Sequence, residues 1–332
     1  MLNRAAVRLF VSVSKRVVAI DWVTMAATIV AFLKLGRPLF LIGGFILFAL
    51  GAALAVVQGV RIDWARYAWG QAVITAAQWM THYANDYFDL EADRANSTPT
   101  RWSGGSRVLV SGTVAPRVAL LASLILCAAA IIAAFGLAFR PGSPPLVSPL
   151  SLLIIALSWS YSAPPLRLLS RGLGEATTAL VVTSLTPLLG FYTQAGVWHA
   201  SVFLACVPLS FLQFSMLLTI ELPDAAGDAA QGKQTLVVRH GSRWAGHAIA
   251  CILVVAFGSL PALYWLGLPA RVVALAALPA PLAAWQAMRL WRGAFQEPKR
   301  WESLALCSVA LLVTTSLAEL SGALLSAVEL AR

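Results

Sequence analysis

The chain has 332 residues, of which 59% are hydrophobic and 11% are charged, and its formal net charge is +10. A soluble globular domain carries about a quarter charged residues, so this composition excludes an ordinary soluble protein and is typical of a polytopic membrane protein. In that class a positive charge reflects the excess of Lys and Arg in cytoplasmic loops, so we expect membrane lipid as a partner and no nucleic acid.

The hydropathy pattern predicts an all-α protein with nine transmembrane helices, because each span needs about 20 apolar residues. An apolar run at 17–33 comes first. It is short and contains Asp21, so we expect a helix lying at the membrane interface, with a tenth span as the alternative. We expect one transmembrane domain over 37–332, preceded by a cytoplasmic or interfacial segment, 1–36. The nine predicted spans are 39–59, 66–85, 116–138, 146–162, 173–194, 199–221, 244–266, 270–290 and 303–326.

The distribution of Lys and Arg predicts the orientation of the bundle. With nine spans, nineteen of these residues lie on the side that holds the N-terminus and the loops after spans 2, 4, 6 and 8, and five lie on the other side. This bias places the N-terminus in the cytoplasm and the C-terminus outside. We therefore expect a multi-pass protein of the cell inner membrane, whose two longest loops, after spans 2 and 6, are cytoplasmic.

Half of the fourteen acidic residues fall in two short stretches, each at the end of an even-numbered predicted span. Asp89 and Asp93 are i and i+4, as are Asp224 and Asp228, so each pair would share one face of a helix. Asn85 lies one further turn before Asp89. The first stretch, NDYFDLEAD, holds Asp86, Asp89, Glu91 and Asp93, and the second, IELPDAAGD, holds Glu221, Asp224 and Asp228.

These two acid clusters predict a divalent metal site on the cytoplasmic face. Like charges at this spacing repel, and carboxylates at membrane depth are costly. Mg²⁺ prefers oxygen ligands and is commonly held by one or two carboxylates together with substrate phosphates. We expect two Mg²⁺ ions that clamp a diphosphate, although acids at a helix end are often simply solvated. The predicted metal ligands are Asn85, Asp86, Asp89, Asp93, Asp224 and Asp228, with Asp86 and Asp93 acting either through water or by orienting other groups.

A diphosphate also needs cationic and hydroxyl partners, and the neighbouring loops supply them. Alternative readings remain: Arg101 and Arg107 would also serve as positive-inside anchors and Tyr161 as an interfacial aromatic. His82, one turn before Asp86, is a helix-packing residue or faces a cavity. The predicted substrate-binding residues are Arg37 before span 1, Arg101 and Arg107 in RWSGGSRVLVSG, Tyr161, Ser162 and Arg167 in YSAPPLRLLSRG, and Lys233 after the second cluster.

These motifs resemble those of the UbiA superfamily of intramembrane prenyltransferases. NDYFDLEAD is similar to the NDxxDxxxD motif of that superfamily, and DAAGD is similar to its second DxxxD motif. Three stretches, NDYFDLEADRANSTPTRWSGGSRVLVSG, YSAPPLRLLSRGLGE and ELPDAAGDAAQGKQTLVVRHG, look most like the branch that prenylates 1,4-dihydroxy-2-naphthoate (MenA). MenA-like sequences often place the trailing acid of the first motif later, after a glycine, whereas Asp93 keeps the general superfamily spacing.

The resemblance implies nine helices around a central cavity and Mg²⁺-dependent transfer of a polyprenyl group from polyprenyl diphosphate to an aromatic acceptor. In the MenA branch the acceptor is 1,4-dihydroxy-2-naphthoate, which loses CO₂ to give demethylmenaquinone in menaquinone biosynthesis. Asp89, Asp224, Asp228 and Lys233 would be catalytic, with Lys233 and Arg107 taking up charge as the diphosphate leaves.

Other functions remain open at this point. The same scaffold could use 4-hydroxybenzoate, homogentisate, haem or a glycerol phosphate ether lipid as acceptor, or cyclise a terpene. A transporter would place its ionisable residues near the bilayer midplane on broken helices, whereas both acid clusters here lie at helix ends. Glu175 and Glu319 are the exceptions within predicted spans.

Overall fold

The computed structural model describes residues 22–330, and in this range the chain is helical and contains no strand. Residues 1–21 and 331–332 lie outside the described residues. With them lie the start of the predicted interfacial helix and five of the cations used to predict orientation, namely Arg4, Arg8, Lys15, Arg16 and Arg332. The helix that continues the predicted interfacial segment runs from Trp22 to Leu35.

Fourteen α-helices occupy the described residues, together with 3₁₀ turns at Leu169–Arg171 and Ala294–Gln296. In chain order they are α1 Trp22–Leu35, α2 Pro38–Val57, α3 Trp64–Phe88, α4 Leu90–Ala95, α5 Pro116–Ala138, α6 Val147–Ser160, α7 Gly174–Ala195, α8 Ala200–Glu221, α9 Ala225–Ala230, α10 Leu236–Gly258, α11 Leu260–Trp265, α12 Ala270–Ala276, α13 Ala280–Trp291 and α14 Pro298–Leu330.

Each of the nine predicted spans overlaps one of these helices or an adjoining pair. Six helical segments are long and apolar enough to cross a membrane, and a seventh is added if α12 and α13, bent by 42°, count as one span. The two other predicted spans correspond to α3, which is long but less apolar, and to α6, which has 14 residues. The count of nine spans therefore stays a prediction.

Glycines allow α2 and α7 to cross at close range. A Cβ added to Gly51 would lie 1.9 Å from the carbonyl oxygen of Pro187, and one added to Gly190 would lie 2.3 Å from that of Phe48. Small residues at such crossings are characteristic of helix packing in membranes. The hydrophobic effect does not drive helices together in lipid, so close van der Waals packing of their backbones does so instead. The middle of α7, Ala179–Leu185, is π-helical.

A cavity of about 400 Å³ lies between α2, α3, α6, α7, α8 and α14. It is lined by α2 from Arg37 to Leu47 and by α3 from Ile74 to Asn85. With a helical rise of about 1.5 Å per residue, it extends roughly 15 Å into the bundle from the end that carries the acid clusters. Its walls are mainly apolar, and Arg37, Asn85 and Tyr161 are among the polar residues that line it.

Candidate active site

The first acid cluster sits where α3 ends and the chain starts a second short helix. Asn85 and Asp86 occupy the last turn of α3, and Asp89 is the junction residue between α3 and α4. The backbone N–H of Asp89 donates to the carbonyl of Asn85 at 2.9 Å, and that of Asp93 donates to the carbonyl of Asp89 at 2.9 Å. The helical spacing predicted from the sequence is therefore present, with a break between the two helices at Asp89.

The second cluster repeats this arrangement at the end of α8. Asp224 is the N-cap residue of the short helix α9, and Asp228 lies in its first turn. The backbone N–H of Asp228 donates to the carbonyl of Asp224 at 2.9 Å. Carboxylates at a helix N-terminus are favoured by the helix dipole and the free N–H groups. Each cluster is thus carried by a short helix that follows a long one.

The structure brings the two clusters together. The Nζ of Lys233 lies 3.0 Å from Oδ1 of Asp89 and 3.0 Å from Oδ1 of Asp228, so one ammonium group links both motifs. The Nδ2 of Asn96 donates to Oδ1 of Asp224 at 2.6 Å and ties the loop after the first motif to the second. Lys233 and Asp89 are each 11% exposed at the side chain, so these pairs are largely shielded from solvent.

A glycine allows the two short helices to approach each other. A Cβ on Gly227 of α9 would lie 3.1 Å from the backbone N and Cα of Asn96 and 3.2 Å from the carbonyl oxygen of Ala92. The nearest atoms belong to backbone, which cannot move aside as a flexible side chain can. The glycine in DAAGD therefore sets the separation of the clusters.

Asp86 is bound on both of its carboxylate oxygens by protein groups. Its Oδ1 accepts from Nη2 of Arg37 at 2.7 Å. Its Oδ2 accepts from the backbone N–H of Ser106 at 3.0 Å, and the Ser106 hydroxyl also donates to it. Asp86 is 2% exposed. The residue thus joins the start of α2, the end of α3 and the loop 96–115.

Asn85 connects the first motif to the segment after α6. Its Nδ2 donates to Oδ2 of Asp89 at 2.6 Å and to Oγ of Ser162 at 3.0 Å. Tyr161, next to Ser162, is 9% exposed and lines the cavity. Asn85 and Tyr161 therefore belong to the cavity end that the clusters surround.

Three further predicted site residues have different environments. A guanidinium nitrogen of Arg107 donates to the backbone carbonyl of Asp93, so this cation contacts the first motif. Arg101 is exposed, and its guanidinium lies 5.7 Å from the ring centroid of Trp102. Arg167 is exposed as well, with a left-handed φ of 46°. The structure thus brings Arg107 to the clusters and leaves Arg101 and Arg167 at the surface.

Burial and mutual repulsion raise the pKa values of two motif aspartates, Asp93 and Asp224. Burial, followed by the charges of Asp86 and Asp89, raises the pKa of Asp93 to about 8. Burial, followed by Asp228, raises that of Asp224 to about 7. Burial alone would lower the pKa of Lys233, but the carboxylates of Asp89 and Asp228 outweigh it and raise that pKa above its usual value. The cations of the site therefore only partly offset the negative charge of its carboxylates.

The donor set fits Mg²⁺. The candidate ligands are carboxylate and amide oxygens, the ligands that hard divalent cations prefer. Within residues 22–330, no group of three or more His, Cys, Asp and Glu side chains is placed to hold a metal ion. A Mg²⁺ site commonly uses one or two carboxylates for each ion, with substrate phosphates completing the coordination.

Several residues near the site had no role assigned from the sequence. Asn96 and the backbone N–H of Gly104, which donates to Asp224 at 3.2 Å, belong to the loop whose arginines were predicted to bind substrate, but neither group was itself a candidate. Glu175 and Glu221 are fully or almost fully buried, and their carboxyl groups interact with each other. Because acids are scarce in this chain, the sequence alone could have marked these two glutamates as candidates.

Comparisons with known proteins agree with this geometry. The profile of the UbiA prenyltransferase family matches residues 45–308. Digeranylgeranylglyceryl phosphate synthase of Methanothermobacter thermautotrophicus is 31% identical over 219 residues, which are 65% of this chain and 69% of the relative. The 1,4-dihydroxy-2-naphthoate octaprenyltransferase of Bacillus subtilis is 24% identical over 229 residues, covering 68% of this chain and 70% of the relative.

The fold is shared with solved structures. A UbiA homolog from Archaeoglobus fulgidus, bound to DMAPP and Mg²⁺, superimposes with a TM-score of 0.58 at 14% identity, covering 87% of this chain and 98% of the homolog. The family match spans both acid motifs, Asn85 to Asp93 and Asp224 to Asp228, whose side chains the structure brings together through Lys233. On these grounds the chain belongs to the UbiA prenyltransferase family and is an integral membrane prenyltransferase.

Proposed function

We propose that this prenyltransferase transfers a polyprenyl group from polyprenyl diphosphate to 1,4-dihydroxy-2-naphthoate, with loss of CO₂, in menaquinone biosynthesis. The observation that carries the proposal is the convergence of the two acid motifs on Lys233 at the polar end of an apolar cavity. An acidic, Mg²⁺-compatible end suits a diphosphate, and apolar walls suit an isoprenoid tail. The naphthoate is chosen because three stretches of the chain resemble the MenA branch, and a naphthoate octaprenyltransferase is among its relatives.

Asn85, Asp89, Asp224 and Asp228 would hold Mg²⁺ with the diphosphate, and we propose two ions because there are two clusters. The bound metal would neutralise the diphosphate and make it a better leaving group. The homolog bound to DMAPP and Mg²⁺ supports this assignment. Asp86, which is bound on both oxygens by Arg37 and Ser106, would act by positioning the loop 96–115.

The protein's own groups then supply charge stabilisation and a dry cavity. As the bond between C1 and the diphosphate oxygen breaks, the electron pair leaves with the diphosphate, and Lys233 and Arg107 stabilise the growing negative charge. The electron-rich ring carbon of the acceptor forms the new C–C bond to C1. Loss of CO₂ from that carbon returns the electron pair to the ring. The apolar walls exclude water from the allylic cation, and no covalent bond to the enzyme is needed.

The finer topology is part of the proposal. We expect nine spans from the hydropathy pattern. The Lys and Arg distribution favours an N-terminus in the cytoplasm and an active site that faces the cytoplasm of a cell inner membrane. In a background without native cysteines, Arg101→Cys should be labelled by a membrane-impermeant thiol reagent in inverted vesicles and Arg61→Cys in intact cells. The opposite pattern would reverse the orientation.

A second candidate acceptor is a glycerol phosphate ether lipid. The digeranylgeranylglyceryl phosphate synthase relative, at 31% identity, favours it. This reaction would use the same donor site but form a C–O bond to a lipid hydroxyl. Terpene cyclisation, and transfer to 4-hydroxybenzoate or homogentisate, are the remaining alternatives on this scaffold.

The test is an assay of purified protein with geranylgeranyl diphosphate, a panel of acceptors and Mg²⁺, read by mass spectrometry against an EDTA control. A Mg²⁺-dependent, decarboxylated prenyl naphthoquinone, formed after oxidation in air, would support the proposal. A prenylated glycerol phosphate lipid without a naphthoate product would transfer it to the second candidate. A product formed without acceptor would indicate a cyclase.

A further inference from the structure

The cavity wall carries a polar atom that the predicted metal and diphosphate ligands do not use. His82 lies on α3 one turn before Asp86 and lines the cavity. Its Nε2 is buried and has no hydrogen-bond partner among the described residues. A buried polar atom without a hydrogen-bond partner costs free energy. Because His82 lines the cavity, an atom of a bound ligand is the simplest partner for its Nε2.

Phe40 lies next to the ring of His82, and Trp102 lies next to Phe40. The ring centroids of Phe40 and His82 are 5.7 Å apart, and those of Phe40 and Trp102 are 6.1 Å apart in an edge-to-face arrangement. All three residues line the cavity. Aromatic rings attract one another at centroid separations of about 4.5–7 Å, so a planar ring could join this group and bring a polar substituent to His82.

The depth of His82 matches the position that an acceptor needs. It precedes Asp86 by four residues and Asp89 by seven, which on a helix corresponds to roughly 6 Å and 10 Å along the axis. A diphosphate held by the acids would place C1 of its prenyl chain just inside the cavity. A ring at the level of His82 would therefore lie next to the carbon it must attack.

The charge of the cavity also distinguishes between acceptors. Among its lining residues, Arg37 is the one with a permanent charge, and its Nη2 is already bound to Asp86. A phosphate headgroup carries up to two negative charges and would need additional cations. A phenol, or an aromatic ring with one carboxylate, carries at most one negative charge here and needs fewer cations in the cavity wall.

We propose that His82 is an acceptor-binding residue whose Nε2 hydrogen-bonds a phenolic hydroxyl of a planar aromatic acceptor lying against Phe40 and Trp102. This inference rests on the proposed function, because it deepens the acceptor side of the same site. It assigns two tasks to the end of α3: binding of the donor through Asn85 and the junction residue Asp89, and recognition of the acceptor through His82, three to seven residues earlier.

The experiment compares a dihydroxylated acceptor with its two mono-O-methyl ethers, using geranylgeranyl diphosphate and Mg²⁺. The ratio of kcat/KM for hydroxyl over methoxy is measured in wild type, His82→Phe and His82→Asn. For one of the two ethers, we expect the wild-type ratio to exceed the His82→Phe ratio by about 5- to 100-fold, the usual effect of a lost buried hydrogen bond. Intrinsic reactivity of the ether cancels between enzymes, and the KM for the donor should not change.

His247→Phe is the matched control, because His247 contacts Trp291 and Phe295 and is absent from the cavity lining. It should keep the wild-type ratio. Equal ratios in wild type and His82→Phe for both ethers would overturn the inference while leaving the proposed function intact. A second apolar variant, His82→Leu, gives the same comparison if His82→Phe does not fold, whereas His82→Asn, which can still hydrogen-bond, should keep part of the wild-type ratio. If wild type prenylates a glycerol phosphate lipid and no phenol, both the acceptor proposal and this inference fall together.

Discussion

At the level of single residues, the two aspartates of the first motif differ in the kind of partner that binds them. Asp89 accepts from Asn85, itself a candidate metal ligand, and pairs with Lys233, which also pairs with Asp228 of the second motif. Asp86 is enclosed by Arg37 and Ser106, and both of its oxygens accept hydrogen bonds. Two aspartates three residues apart in one motif therefore have different expected phenotypes.

Asp89→Asn and Asp224→Asn should each lower kcat by more than about 100-fold, since each removes an anionic metal ligand. Glu91→Gln is the matched control within the same motif, because Glu91 is exposed and pairs with Arg94 at the surface. The measurement is turnover of purified protein, with elution from a sizing column as a check on folding. Wild-type rates in either aspartate variant would contradict the metal assignment.

Asp86→Ala should lower stability as well as activity. It would leave the Arg37 guanidinium and the Ser106 hydroxyl without their shared partner in a buried position. Breaking a buried ion pair by removing one member typically costs about 3–5 kcal/mol. Thermal unfolding in detergent should show a Tm for Asp86→Ala clearly below that of Asp89→Asn. Equal Tm values would mean that Asp86 does not anchor the loop 96–115.

The acid motifs could be predicted from the sequence, because four carboxylates within eight residues are conspicuous in a chain with 11% charged residues. Their local partners could not. Asn96 meets Asp224 across 128 positions of sequence, and nothing in an asparagine after a helix indicates that contact. The exposure of Arg101 and Arg167 could not be predicted either. Whether an arginine in a loop is buried or exposed depends on the conformation of the loop, which the sequence pattern does not give.

At the level of elements, the site depends on two short helices whose separation is fixed by backbone contact. The sequence predicted most long spans within a few residues, as for α5, which runs from Pro116 to Ala138 as expected. It did not predict that α10 begins at Leu236, eight residues before the expected span, with a kink at Gly241. Hydropathy identifies the lipid-buried part of a helix and not its extension beyond the membrane.

Gly227→Val should separate α4 from α9 and reduce activity, because its side chain would collide with the backbone of Asn96 and Ala92. We expect a loss of at least about 100-fold, as displacing catalytic groups by 1 Å can cost that much. Gly258→Val is the control, since a Cβ there meets nothing within 4 Å. Turnover and Mg²⁺-induced Tm shifts would be measured for both. Full activity in Gly227→Val would show that the spacing of the clusters tolerates change.

At the level of the whole molecule, a membrane enzyme concentrates negative charge in one place and must neutralise it. Lys233 and Arg37 offset part of that charge within the described residues. The raised pKa values of Asp93, about 8, and Asp224, about 7, show that repulsion and burial are only partly relieved. Binding of a divalent cation would relieve the remainder, so metal binding and stability should be coupled.

This coupling predicts how the stabilising effect of Mg²⁺ depends on pH. A carboxyl group whose pKa is raised by folding destabilises the protein as the pH increases towards that raised value, because folding then opposes its ionisation. Below pH 7, Asp93 and Asp224 are largely protonated and protons compete with Mg²⁺. Above pH 8 both are mainly anionic, so Asp224 can bind the metal and Asp93 can interact with it through water. The Tm increase caused by Mg²⁺ should therefore be larger at pH 9 than at pH 6. The Mg²⁺ concentration needed for half-maximal rate should also fall, by up to about tenfold per pH unit for each displaced proton.

NaCl at equal ionic strength is the control for charge screening in this experiment. A Tm increase that is the same at both pH values, or larger at pH 6, would show that these carboxylates do not bind the metal.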